Sequence, residues 1–159
     1  MSVRSNIIEN MLRVPESTWL VSAEDIRDMW MDYNDLQEVF GNLIEQKDPR
    51  GYAKCIVRSI VRFNGKLPQT QYSPDNFPDA GLLLDMSFAE VLKVVEAYHT
   101  ANFNTASGGG TVIPLHERFS AIKALRQEIE SDVTRRTQEW KIYISNQMAY
   151  GSFDSLDLL

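Results

Sequence analysis

Few residues in this chain are equipped for covalent or metal chemistry. The two histidines are His99, near the end of an expected helix, and His116, near the start of another. A serine–histidine–aspartate relay needs a nucleophile held on a glycine-flanked elbow, and no such pattern occurs. Both histidines read as surface or half-buried side chains. A lone cysteine, Cys55, excludes an internal disulfide and any multi-cysteine zinc site. It reads as a small, partly buried residue near the polar edge of its helix, with no activating neighbour. Ser107-Gly108-Gly109-Gly110 precedes a helix as a phosphate cradle would, but no Gly-Lys-Ser/Thr follows, so it reads as a linker. Asp32-Tyr33-Asn34 begins like a calcium loop, yet Gln37 stands where glycine is needed and Leu43 where glutamate is needed. No catalytic, cofactor or metal site is expected.

The charged residues carry more information. Arg50, Lys54, Arg58 and Arg62 recur every four residues and fall on one side of a helix as a basic ridge. Asp25, Asp28, Asp32, Asp35 and Glu38 form an acidic strip on the preceding helix. The ridge admits three readings. It is a solvated face, it is a contact for a nucleic acid backbone, or it meets the acidic strip within the chain or across a subunit boundary. In the last case a ring would join the strip of one subunit to the ridge of the next. Arg126 and Arg136 lie on or beside the apolar stripe of the longest helix, and each reads more simply as a snorkelling side chain than as a partner for another chain's carboxylates.

The elements that must position these groups are helical. Leu115, Phe119, Ile122, Leu125, Ile129, Val133, Trp140 and Tyr143 recur at steps of three, four or seven and predict one long helix over Leu115–Tyr143. Ser22 before Asp25 is a cap for a helix running to about Gln46, with Ile26, Met29, Trp30, Tyr33, Leu36, Phe40, Leu43 and Ile44 on its apolar face. Asp48-Pro49 opens the next helix, which runs to Phe63 and stops at Asn64-Gly65. Ser87 and Glu90 form a capping box for a helix over Ser87–Phe103. Asn6 to Leu12 is a short helix ended by Val14-Pro15. Lys66–Ala80 holds three prolines and reads as a loop or arm with Tyr72 and Phe77 as anchors. Gly81 to Met86 is a helical turn or a buried extended piece, and Val112-Ile113 a short strand. The fold class is all-α: a bundle of about four main helices, residues 1–144 forming one domain and 145–159 an extended tail.

With 159 residues, 24% of them charged, and a net charge of -6, the chain has the composition of a globular protein with little bulk attraction to DNA or anionic lipid. No apolar run is long enough to cross a membrane and the N-terminus lacks the features of a secretion signal, so a reducing, cytosolic-type setting is expected. The segment Ser145–Leu159 carries Tyr150, Phe153, Leu156 and Leu158 on a polar strand and reads as a docking tail.

The layout resembles the head-tail connector (neck, adaptor) proteins of tailed bacteriophages. The features that carry this are the helices over Ser22–Gln46, Asp48–Phe63, Ser87–Phe103 and Leu115–Tyr143, with the arm Lys66–Ala80 and the tail Ser145–Leu159. The resemblance implies a non-enzymatic virion protein assembled in the host cytoplasm. It would form a homo-oligomeric ring, often dodecameric, beneath a portal. Its tail or arm would insert between neighbours or dock on the portal or a tail component. DNA would be only passing cargo, and Glu24, Asp28 and Asp35 would suit an acidic channel wall. The alternatives are a helical regulatory or nucleic-acid-binding module using the ridge, or a chaperone-like adaptor that shields a partner helix.

Overall fold

The computed structural model describes residues 2–33, 36–37, 40–103 and 112–150. Among them the chain is all-helical, with no strand. The helices are α1 (Val3–Leu12), α2 (Ala23–Met31), α3 (Leu43–Lys47), α4 (Gly51–Gly65), α5 (Ala80–Phe103) and α6 (Val112–Tyr150), with a single 3-10 turn at Glu16–Thr18.

The centre of the fold is α5. Leu82, Leu83, Phe88, Val91, Leu92 and Val95 point in several directions around its axis, and all are fully buried. A helix apolar on every side must be covered on every side. Helix α4 covers one flank with Ile56, Ile60 and Phe63, and α2 another with Ile26 and Trp30. The Trp30 indole meets the Phe88 ring edge-on at 5.2 Å, and Tyr33 stacks on the same ring at 6.0 Å. Helix α6 runs along a third side, where Ile122 is buried and Leu125, Ile129, Val133, Trp140 and Ile144 pack against the core. Helix α1 lies on the outer face of α4, over Ala53 and Val57.

Several boundaries differ from the sequence reading, each for a local reason. The helix expected over Ser22–Gln46 is divided into α2 and α3. Its start is as expected: Ser22 and Asp25 cap each other reciprocally, Asp25 N–H donating to Ser22 Oγ at 3.3 Å and Ser22 N–H to Asp25 Oδ2 at 2.6 Å. It ends at Met31, where Tyr33 N–H donates to the Trp30 carbonyl at 3.0 Å in the turn that follows. The buried Tyr52 hydroxyl donates to the Gly41 carbonyl at 2.7 Å, which fixes the connection against α4. Gly51 then lets α3 turn tightly into α4, since a Cβ there would stand 2.3 Å from Ile44 Cγ2.

Helix α5 begins at Ala80 rather than Ser87, so Gly81 to Met86 is helical. Its cap is Asp79, whose Oδ1 accepts from Leu82 N–H at 2.9 Å. Ser87 is buried mid-helix and donates back to the Leu83 carbonyl at 2.6 Å, so the expected Ser87/Glu90 capping box does not form. Helix α6 starts at Val112, so Val112-Ile113 is helix, not strand. It passes position 145 without interruption and ends at Tyr150, so the first part of the expected extended tail is helical. At 39 residues and about 1.5 Å per residue it is roughly 58 Å long. The triglycine linker falls outside the described residues.

The proline-containing segment 66–79 is tied to its own chain. Asn64 Oδ1 accepts from Tyr72 N–H and Thr70 Oγ1, and Asn64 Nδ2 donates to the Tyr72 carbonyl at 2.8 Å. Tyr72 and Phe77 close on Phe63, with ring centroids 6.0 and 4.9 Å away. Lys141 of α6 is buried and clamps the same segment. Its Nζ donates to the Pro68 carbonyl at 2.9 Å and to Thr70 Oγ1 at 3.0 Å, over the Phe63 ring. Burial first, and then nearby Lys66, lower its pKa.

Asp79 joins three parts of this fold at once: it caps α5, accepts from the Trp140 indole at 3.2 Å, and lies 3.6 Å from Arg136. Burial raises its pKa. The Leu82 N–H, the Trp140 indole, the Arg136 charge and the Gly81 N–H outweigh that and hold it below the ordinary 3.8. The Asp79 charge therefore stabilises the fold fully above about pH 4, and the contribution is lost as pH falls through the lowered folded value. Asp79→Ala is expected to cost about 1–3 kcal/mol in urea unfolding at pH 7. Asp79→Asn keeps a capping oxygen, so it should cost less at pH 7 and flatten the acid limb of the stability profile. An unchanged acid limb would rule out the charge as the cause.

Candidate functional site

The basic ridge lies on α4, as the four-residue spacing requires, but most of its charge is met by carboxylates of the same chain. Arg50 donates to Glu16 Oε1 at 3.0 Å and to the Leu12 carbonyl at 2.9 Å, fastening α1 and the 3-10 turn to the start of α4. Lys54 pairs with Asp48. Arg62 pairs with the buried carboxylate of Glu90 on α5. Arg58 makes no ion pair among the described residues and is half-buried.

Among the described residues the acidic strip makes no ion pair with this ridge. Asp25 is engaged with Ser22, and Asp28 and Asp32 are exposed on and just after α2. Asp35 lies outside the described residues. What joins α2 to α3 is Arg27, which grips Glu45 through Nε at 3.1 Å and Nη2 at 2.5 Å. The partners of the ridge come from Glu16, Asp48 and Glu90 instead.

Arg126 and Arg136 do not snorkel. Arg126 donates to Glu96 on α5 at 2.6 Å and to Glu130 at 2.8 Å. Arg136 reaches Asp85 at 2.6 Å, Asp132 at 3.5 Å and Asp79 at 3.6 Å. They fasten α6 to α5 at two levels. Burial works against the Arg136 charge, but Asp85, Asp79 and Asp132 outweigh it and raise its pKa.

Cys55 is deeply buried rather than partly so, because α5 covers the flank of α4 that the sequence left open. Burial pushes its thiol up to about 12, with the charge of Arg58 opposing. The side chains of His99 and His116 fall outside the described ones. No cluster of three or more histidine, cysteine or acidic side chains placed to hold a metal exists among the described residues. Within the same bounds no helix is long and apolar enough to cross a membrane.

Of the expected docking anchors, Tyr150 is the last residue of α6 and is highly exposed, while Phe153, Leu156 and Leu158 lie outside the described residues. Among the described side chains, the exposed large apolar residues of α6 gather at this end, at Ile142, Tyr143, Met148 and Tyr150. Tyr143, expected in the core stripe, is instead half-exposed beside Trp140.

A groove that the sequence reading did not anticipate opens at the far end of the molecule, between α3, α4 and α5. Its volume is about 180 Å³. Ile44, Cys55, Val94 and Val95 form an apolar floor, and Lys47, Lys54 and Arg58 stand at its edge with Asp48 as the single carboxylate among the described residues. Lys47 Nζ sits 3.7 Å from the Tyr98 ring centroid, which fixes one wall. The signal that could have found it is Gly51, whose missing side chain marks the close approach of α3 and α4. A wider groove of about 570 Å³ lies between α1, α4 and the 66–79 segment, where Ile7, Met11, Val61 and Tyr72 contribute its apolar surface.

Comparison with known proteins adds no relative: no family model, curated protein or solved structure matches the chain.

The burial of Cys55 has a direct consequence. Its thiol should resist a thiol-specific reagent such as DTNB at pH 8 in the native protein, with a rate at least about a hundredfold below that in denaturant. Rapid native labelling would contradict the closed packing of α4 on α5.

Proposed function

We propose that this chain is a non-enzymatic assembly protein that forms a homo-oligomer through the carboxyl end of α6 and the residues that follow it. The observation that carries the reading is the exposed end of that helix. Ile144 is the last residue packed against the core, and every described position from 145 to 150 is exposed. The helix therefore continues roughly 9 Å beyond its last support, at about 1.5 Å per residue. Met148 and Tyr150 are exposed on that overhang, with Ile142 and Tyr143 exposed just before it, and such a cluster marks an interaction surface. The ions that could have served another role are consumed in holding helices together, Arg126 and Arg136 above all.

The layout fits a ring of the phage head-tail connector kind, with further copies of the chain as the first partner and a portal or tail component as the second. In such a ring the exposed Glu24 and Asp28 would suit a wall past which DNA slides, and the particle would be its location. The 66–79 segment is bound to Asn64, Phe63 and Lys141 of its own chain, so the carboxyl end is the better candidate for insertion between neighbours.

Light scattering across a range of concentrations tests this. The full chain should give a discrete oligomer. A chain ending at Ile144 should keep its helical content and melting temperature to within a few degrees, because the removed helical residues bury nothing, and should be monomeric. A truncated chain that assembled as before, or a full chain that stayed monomeric at every concentration, would refute the reading. The nucleic-acid alternative predicts salt-sensitive binding of a DNA or RNA duplex that Arg58→Glu with Arg62→Glu removes. With three of four ridge cations already paired, the assembly reading expects no such binding.

A further inference from the structure

We infer that the groove between α3, α4 and α5 is the receiving site for residues 151–159 of a second copy of this chain. The inference rests on the assembly reading above and names the surface on which assembly is built.

Chemistry matches the two partners. The groove has an apolar floor and an edge bearing Lys47, Lys54 and Arg58 against one carboxylate, Asp48, a local excess of positive charge in a chain of net charge -6. Among the described residues neither Arg58 nor Lys47 has a carboxylate partner, and the Lys47 ammonium rests on the Tyr98 ring. The segment 151–159 reads Gly-Ser-Phe-Asp-Ser-Leu-Asp-Leu-Leu. It pairs large apolar side chains with two carboxylates, Asp154 and Asp157, and carries no cation. A cavity of about 150 Å³ lined by aliphatic side chains holds a benzene molecule, so a groove of about 180 Å³ has room for the Phe153 ring. Asp154, next to it, would then lie at the level of the cationic edge.

Reach makes the contact intermolecular. Helices α5 and α6 are antiparallel, as the pairs Asp79–Trp140, Asp85–Arg136 and Glu96–Arg126 show. The level of Tyr98, on the groove wall, therefore corresponds to about residue 123 or 124 of α6. From there α6 carries Tyr150 roughly 40 Å away, at about 1.5 Å per residue. Nine fully extended residues span at most about 30 Å, and Phe153 lies only three residues beyond the helix. The segment cannot return to its own groove, whereas the groove of a neighbour is open to it. Each copy then offers one end and receives at the other, a heterologous contact that closes into a ring when its rotation permits.

A charge exchange in the full-length chain tests the contact. Lys47→Glu with Arg58→Glu reverses the edge of the groove, and Asp154→Lys with Asp157→Lys reverses the segment. Each double variant alone should fall to monomer in light scattering under conditions where the unaltered chain assembles. An equimolar mixture of the two, in which every contact pairs opposite charges, should recover assembly, as should the chain carrying all four changes. Alongside, a labelled peptide of residues 150–159 should bind the dilute full-length chain in fluorescence anisotropy. The affinity should drop about tenfold or more for the Lys47→Glu/Arg58→Glu variant and decline with added salt. If the chain assembles but both double variants assemble equally well, or the peptide binds both chains alike, the groove is not the receiving site and the assembly reading stands. If the unaltered chain neither assembles nor binds the peptide, both fail. Circular dichroism of each variant separates lost contact from lost fold, and Phe153→Ala, a change in the segment alone, should give the same loss with every groove residue unaltered.

Discussion

The structure depends on the need to cover α5. Its apolar side chains face more than one direction, so no single partner helix can keep water from it. Fully burying a side chain such as Phe88 or Leu92 is worth about 1.5–3 kcal/mol each, and this benefit is realised only when α2, α4 and α6 are all in place. That accounts for the tight corner at Gly51, which brings α4 back along α5, and for the docking of Trp30 and Tyr33 on Phe88. It also accounts for the split of the second expected helix. An unbroken rod from Ser22 to Gln46 could not bend around α5 to bring Trp30 and Ile44 onto it from different sides.

Charge completes what burial begins. Where α6 borders α5 the apolar stripe is incomplete, and Arg126 and Arg136 bridge the gaps to Glu96, Asp85 and Asp79. These pairs are partly shielded from water. Each therefore counts for more than a surface pair such as Arg135 with Asp132 and Glu139, which belongs to a class worth about 0–1 kcal/mol. They also set register, since a slip of α6 by one turn would separate both arginines from their partners at once. Lys141 extends the same logic to the 66–79 segment, where backbone and hydroxyl oxygens take the place of a carboxylate.

The legibility of the sequence follows the range of the interactions. The helical character of the chain, the reciprocal cap at Ser22 and Asp25, and the stripe through Ile122, Leu125, Ile129 and Val133 are local patterns, and they appear in the structure where the pattern places them. The start of α5 was not legible, because Ser87 with Glu90 has the spacing of a capping box. The alternative, Asp79, needed knowledge that Leu82 and Leu83 would be buried and that Trp140 would arrive from far along the chain. The pairing of the basic ridge was likewise a long-range matter. Glu16 and Glu90 are remote in sequence from Arg50 and Arg62, whereas the neighbouring acidic strip looked like the natural partner. Cys55 followed suit: a position at the polar edge of one amphipathic helix is interior once a helix as apolar as α5 lies against it.

The unequal lengths of the antiparallel pair give the molecule direction. Helix α6 has 39 residues against 24 in α5, and much of the excess extends past the start of α5, at Asp79 and Trp140. Among the described side chains, the exposed large apolar residues of α6 gather at that end, while the cationic groove beside Val94, Val95 and Tyr98 lies toward the other. A protein that binds copies of itself through one self-complementary patch stops at a dimer. One whose donor and acceptor surfaces sit at opposite ends can exchange them reciprocally in an antiparallel pair, or pass them from copy to copy until the assembly closes. Under the proposed assembly, the distance between the two surfaces along α6 sets how far apart neighbouring copies must sit, whichever closed form the contact takes.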